Sequence, residues 1–200
     1  MNMIHKDRNM STKEENALRS ARNSYYYALA ILKGRFEKGE DVISKNAGYS
    51  YRYAREILKS RFEKGEDAIS KNSEFSYGYA LHILKSRFKK GENAISKYAY
   101  YSYSYAFYVL KGRFEKGENA ISKDAMYSYK YARYVLHDRF EKGEDKISKN
   151  PHYSESYKEH VYDAEKELKK ELKKKLEKEI KELKSLRDSM TVNYLYGIEV

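Results

Sequence analysis

The sequence predicts an all-α protein, an α-solenoid of five 26-residue αα repeats. Three observations carry that prediction. The stretch RFEKGEDAISKN of residues 61–72 recurs with starts at Arg35, Arg61, Arg87, Arg113 and Arg139, always 26 residues apart. Self-similarity at such a period marks units that bury their apolar faces on one another. Each repeat also carries an apolar stripe of helical period, and both ends of the array depart from the repeat where a cap is needed.

The second repeat shows how each unit is built. At 100° per residue, Tyr51, Ala54, Ile57, Leu58 and Phe62 fall on one stripe, with Tyr53 at its edge and Arg52, Arg55, Glu56 and Lys59 opposite. That is an amphipathic helix of three to four turns. The residue before it in successive copies is Asn46, Asn72, Tyr98, Asp124 and Asn150, mostly good N-caps, and the sixth copy adds Pro151 at the first helical position. The segment EKGEDAIS that follows is a second helix of two turns, with only Phe62, Ala68 and Ile69 to bury. So short a helix is marginal alone and must be held by the long helices beside it.

The domain reading follows from this unit. Residues 1–20 hold an N-terminal segment and a half-repeat, in which Glu15–Asn16–Ala17–Leu18 matches Glu118–Asn119–Ala120–Ile121 and Ser11 with Glu14 fits a capping box. Residues 21–150 are the five tandem repeats. Residues 151–190 begin as a sixth long helix whose stacking positions turn polar at Glu155, Lys158 and Glu165, as a cap requires. The helix then runs on as a charged rod with one apolar stripe: Ala164, Leu168, Leu172, Leu176, Ile180, Leu183, Leu186 and Met190. That stripe is expected either to lie back on the array or to pair with a second copy as a homodimer. Spacings of four dominate it, which argues against a long heptad coiled coil. In residues 191–200, Val192, Tyr194, Tyr196, Ile198 and Val200 alternate, which reads as a strand-like tail docked on the array or added to a partner's sheet edge.

Composition limits the function classes. The chain has no Cys, which excludes disulfides and thiolate metal sites. No apolar run approaches the ~20 residues needed to span a bilayer, and the opening MNMIHKDRNMSTKEEN lacks the apolar core of a signal peptide. A cytoplasmic protein without a membrane partner is expected. Of the net charge of +11, residues 21–150 contribute most, with 26 Lys/Arg against 16 Asp/Glu, whereas residues 151–200 hold 11 of each. A basic array attracts acidic proteins, nucleic acid or small anions.

The strict arginine, placed by the wheel at the centre of the long helix's stripe, needs a partner, because an unpaired buried charge is strongly penalised. The glutamate five residues on supplies it. The expected ladder is Arg35–Glu40, Arg61–Glu66, Arg87–Glu92, Arg113–Glu118 and Arg139–Glu144, with a phosphate- or carboxylate-holding groove of arginines as the other reading. The strict glycines Gly39, Gly65, Gly91, Gly117 and Gly143 mark either close backbone approach or a turn with positive φ. Tyr51 and Tyr53, recurring in every copy, read as a packing layer.

Function is then sought in what varies. The outward positions of the long helix are Tyr26, Leu29 and Ala30, then Arg52, Arg55 and Glu56, then Gly78, Leu81 and His82, then Ser104, Phe107 and Tyr108, then Lys130, Arg133 and Tyr134. Tyr26, Leu29, Leu81, Phe107, Tyr108 and Tyr134, with His82, make a candidate contact face. Beside it runs a row of Lys33, Lys59, Lys85, Lys111 and His137. Aromatic residues beside basic ones suit a protein interface and also suit stacked bases. No His pair stands at i, i+4, and HExxH, CxxC, GxGxxG and GxxxxGK[ST] are absent. Neither catalysis nor a metal or other cofactor is expected.

The pattern Tyr-x-Tyr-Ala-x-x-Ile/Val-Leu-Lys-x-Arg-Phe-x-x-Gly-Glu-x-x-Ile, as in residues 51–69, resembles short helical repeats in proteins of tailed phages and some bacteria. Those relatives often read Arg-Trp-Pro-Glu-Gly/Ala-Glu where this chain has Arg61-Phe62-Glu63-Lys64-Gly65-Glu66. The resemblance covers roughly residues 15–162 and carries no catalytic residue. It implies a phage origin, residence in the host cytoplasm and a role in host interaction or counter-defence. The function read from all this is non-enzymatic capture of an acidic macromolecule, a protein first. The alternative is a nucleic-acid binder using the basic rows with aromatic stacking.

Overall fold

The computed structural model describes residues 12–196, and among these twelve helices follow one another: α1 (Thr12–Ala17), α2 (21–32), α3 (37–43), α4 (47–58), α5 (63–69), α6 (73–84), α7 (89–95), α8 (99–110), α9 (Glu115–Ile121), α10 (125–136), α11 (Glu141–Ser148) and α12 (151–196). Long even-numbered helices lie side by side in one layer and short odd-numbered ones in a second, each touching its neighbours. This is the expected all-α solenoid, closed by the long C-terminal helix. Side-chain caps open the long helices: Ser20, Asn46, Asn72, Asp124 and Asn150 each accept the backbone N–H three residues on, and only Tyr98 lacks such a bond.

Each of the five long repeat helices changes character halfway. Its second half widens to i→i+5 hydrogen bonding and stops at a residue in the left-handed region: Lys33, Lys59, Lys85, Lys111 and His137, with φ between 50° and 53°. The buried carbonyl of Ala28, Ala54, Ala80, Ala106 or Ala132 accepts both that residue's N–H and the next one, which satisfies the helix end. The helix therefore ends before the strict arginine. Arg61 does not sit on the apolar stripe of α4 as the wheel has it, because the chain has already turned at Lys59.

The repeats lock through two buried hydroxyls. Ser50 Oγ donates to the Ile43 carbonyl at the end of the previous short helix at 2.9 Å, and Ser24, Ser76, Ser102 and Ser128 repeat the bond. Tyr53, Tyr79, Tyr105, Tyr131 and Tyr157 accept the backbone N–H of the previous repeat's Phe36, Phe62, Phe88, Phe114 and Phe140 at 2.7–2.8 Å. Burial pushes the hydroxyls of Tyr79, Tyr105 and Tyr131 up to about 12, so they stay protonated donors. The strict glycines decide between the two sequence readings. Gly65 has φ of −87°, and a Cβ there would lie 2.5 Å from the Phe62 ring and 2.7 Å from Ser50 Cβ. Close approach of the short helix to the long one excludes a side chain, and positive φ plays no part.

Two further expectations are corrected. The N-terminal half-repeat stands one residue away from the predicted alignment: Glu14 and Ala17 take the places of Glu40 and Ile43, since Ser24 bonds the Ala17 carbonyl and Lys38 pairs with Glu14 at 3.0 Å. Ser11, the proposed capping partner of Glu14, lies outside the described residues. The strand-like tail is not a strand over 191–196, where α12 continues to Tyr196. Extending an existing helix needs no new nucleus, so propagation overrides a short alternating pattern. Residues 197–200 lie outside the described residues.

Candidate functional site

The Arg–Glu pairs of the expected ladder form in all five repeats. Arg35, Arg61, Arg87, Arg113 and Arg139 donate Nε–H to Glu40, Glu66, Glu92, Glu118 and Glu144 at 2.6–2.9 Å. The burial is the reverse of the sequence expectation, because the arginines follow the left-handed turn into solvent while the glutamates stand within the short helices with their side chains turned inward. The Arg61 side chain is 56% exposed and that of Glu66 2%. Each buried carboxylate gathers further donors. Glu66 faces the Tyr79 hydroxyl at 3.4 Å and Lys90 of the next repeat at 3.8 Å, and Glu118 accepts from Lys142 at 2.7 Å. Burial alone would raise the Glu118 carboxyl, but the bonds from Arg113 and Lys142 outweigh it and hold it below the usual glutamate range. Every arginine is spent on its glutamate, so the reading of a free arginine groove finds no support here.

The candidate contact face divides. Tyr26, Phe107, Tyr108 and Tyr134 are exposed, as are Leu29 and His82. Leu81 is half-buried, and Gly78 and Ser104, read as outward, are buried. They are covered by the Tyr51-class rings, which lean toward the following repeat: Tyr51 lies against Gly78, and Tyr25 donates to Glu56. Burial and the charge of Arg55 hold His82 below the usual imidazole range. Lys59, Lys85 and Lys111 are exposed at their left-handed turns.

Repeats four and five concentrate the aromatic surface. Tyr103 stacks on Phe107 with ring centroids 5.8 Å apart, and Phe107 meets Tyr108 edge-on at 4.8 Å and Tyr134 at 6.4 Å. Tyr103 also touches Tyr127, which touches Tyr100, which touches Tyr101. The chain of rings is continuous across α8 and α10, and Tyr98, Tyr100, Phe107, Tyr108 and Tyr134 expose 36–59% of their surface. Arg133 lies 5.0 Å over the Tyr134 ring and Lys130 5.8 Å over Tyr127. The acidic groups at this cluster are Glu74 near Tyr101 and Asp124 near Tyr127. Tyr98 and Tyr100 are the exposed members that the sequence reading missed. Both break their repeat columns, standing where other copies carry Asn46, Asn72 or Asp124 and Gly48, Glu74 or Met126.

Comparison with known proteins returns no match: no family model, no curated protein and no solved structure is similar to the chain.

Proposed function

We propose that the chain is a non-enzymatic binding scaffold that docks an acidic protein on the aromatic face of repeats four and five. The observation that carries this reading is the cluster of exposed rings Tyr98, Tyr100, Phe107, Tyr108 and Tyr134, linked through the half-buried Tyr101, Tyr103 and Tyr127. Large aromatic anchors in contact with one another, rimmed by cations, are the composition of an interface centre. Arg133 and Lys130 favour a partner with carboxylates facing that rim. The role in host interaction or counter-defence that the resemblance implies belongs to the same proposal.

A second reading, nucleic-acid binding, has its own observation in the exposed cation that each repeat places at its left-handed turn, Lys33, Lys59, Lys85, Lys111 or His137. The protein reading is favoured because the rings pack on one another as one apolar patch, Phe107 on Tyr103 and against Tyr108, rather than standing apart as separate stacking platforms. Pull-down from host lysate with and without nuclease separates the two. A bound protein that survives nuclease, with affinity weakly dependent on salt, supports the first reading. Loss of all bound material on nuclease treatment, with a log–log salt slope of several units, would reverse the ranking.

A further inference from the structure

Over residues 168–183 the apolar stripe of α12 is not covered by the array. Leu168, Leu172, Leu176, Ile180 and Leu183 are 43–65% exposed. Leu168 and Leu172 border a hollow of about 560 Å³ whose other wall includes Leu136 and His137, and the next three face water. Of the two fates expected for this stripe, packing back on the repeats is therefore not what the helix does over residues 168–183.

The charges beside the stripe say what covers it. Successive residues on a helix project 100° apart, so the neighbours before and after a stripe residue fall on opposite sides of it. Glu167, Glu171, Glu179 and Glu182 precede stripe residues, and Lys169, Lys173, Lys181 and Lys184 follow them. The order inverts once, at Lys175–Leu176–Glu177. One edge of the seam is thus acidic and the other basic, and the helix is its own electrostatic complement. We propose that a second copy of this chain covers the stripe, in a parallel homodimer through α12.

Orientation follows from the edges. In a parallel pair the left edge of one helix meets the right edge of its partner, so acidic meets basic on both sides of the seam. An antiparallel pair would set glutamates on glutamates and lysines on lysines. The stripe advances 15 residues in four steps between Leu168 and Leu183. At 100° per residue it drifts by about 60° over roughly 22 Å, which keeps the seam on one side of a nearly straight helix. Five layers bury less than the roughly 800 Å² per partner of a standard interface, so dissociation in the micromolar range is expected. The proposal is independent of the docking face on the repeats.

Sedimentation equilibrium on the full chain tests it across a micromolar concentration series. The mass should rise from 23.7 kDa to twice that value. The Leu172→Glu/Leu176→Glu variant should remain at 23.7 kDa with its helical circular dichroism retained. The chain has no cysteine, so Leu183→Cys places one thiol in the seam. A parallel pair brings the two thiols together, and mild oxidation should convert most of the protein to a covalent dimer. A wild type that stays monomeric, a dimer that survives the two glutamates, or a dimer whose Cys variant resists oxidative cross-linking would each overturn the proposal.

Discussion

Repeats two and four share a backbone and differ in what they show to water. Both end their long helix at a left-handed lysine, Lys59 or Lys111, and both pair an exposed arginine with a buried glutamate, Arg61–Glu66 or Arg113–Glu118. On the outer face, repeat two carries Gly48, Arg55 and Glu56 where repeat four carries Tyr100, Phe107 and Tyr108. The comparison teaches that scaffold and surface are separable within one 26-residue unit. The groups that fix the stacking lie between the two helix layers, and the face above them is free to change.

The largest effect belongs to the close approach at the strict glycine. Gly91→Val would push a Cβ to within 2.5 Å of the Phe88 ring and 2.7 Å of Ser76 Cβ, at a position whose φ of −84° causes no strain. Overpacking of this kind costs about 3 kcal/mol, measured by urea unfolding. Gly112→Ala is the control, since the nearest atom to its Cβ is the Leu110 carbonyl oxygen at 3.9 Å. Equal losses in the two variants would show that crowding is not why the glycine recurs.

The ladder comes next. Arg87→Ala leaves Glu92 buried, but the arginine is 54% exposed and Lys116 remains 3.7 Å from the carboxylate. The loss should therefore fall below the ~3–5 kcal/mol of a fully buried pair. A double-mutant cycle with Glu92→Gln should show coupling of about 1 kcal/mol, and simple additivity would sink the ladder. The same network predicts an acid limb. Glu118 and Glu144 titrate below their usual range, the first despite burial and the second mainly through its bond to Arg139. Their contribution is complete above the unfolded carboxylate range and is lost as pH falls through the folded values, so stability should fall below about pH 5. Glu118→Gln should flatten that limb, and an unchanged slope would remove Glu118 from it.

How much of this was legible depends on whether a feature repeats. The 26-residue period announced the solenoid, and Glu155 and Lys158 announced its end, because polar residues on a stacking face leave nothing for a further repeat to cover. The pairing of Arg61 with Glu66 was legible from their recurrence, but its burial was not. A wheel run past Leu58 assumes a helix that Lys59 has stopped, and a lysine gives no warning of a left-handed turn as glycine would. The tail misled because alternation in Val192, Tyr194 and Tyr196 is a weaker cue than an adjoining helix already formed. Tyr98 and Tyr100 were missed for a different reason. They lie at the start of α8, where Tyr98 was read only as an N-cap position and Tyr100 was outside the outward positions, although a column-by-column comparison of the repeats exposes both.

The smallest effect on stability is also the sharpest test of the separation between scaffold and face. Phe107→Arg with Tyr108→Glu converts the face of repeat four to that of repeat two, whose backbone already carries Arg55 and Glu56. Phe107 gives up its stack on Tyr103 and its edge contact with Tyr134. Both replaced side chains are already exposed, at 36% and 55%. Changes at such positions shift stability by about 0.5 kcal/mol, so the melting temperature should move by no more than a few degrees. Affinity for the protein recovered by pull-down should fall by about 2 kcal/mol or more, because two neighbouring anchors are removed together. A collapsed melt would mean that the ring cluster of α8 and α10 is core. An intact fold with undiminished binding would move the interface off this face, and the row of Lys45, Lys71, Lys97, Lys123 and Lys149 that follows the short helices would be the next surface to mutate.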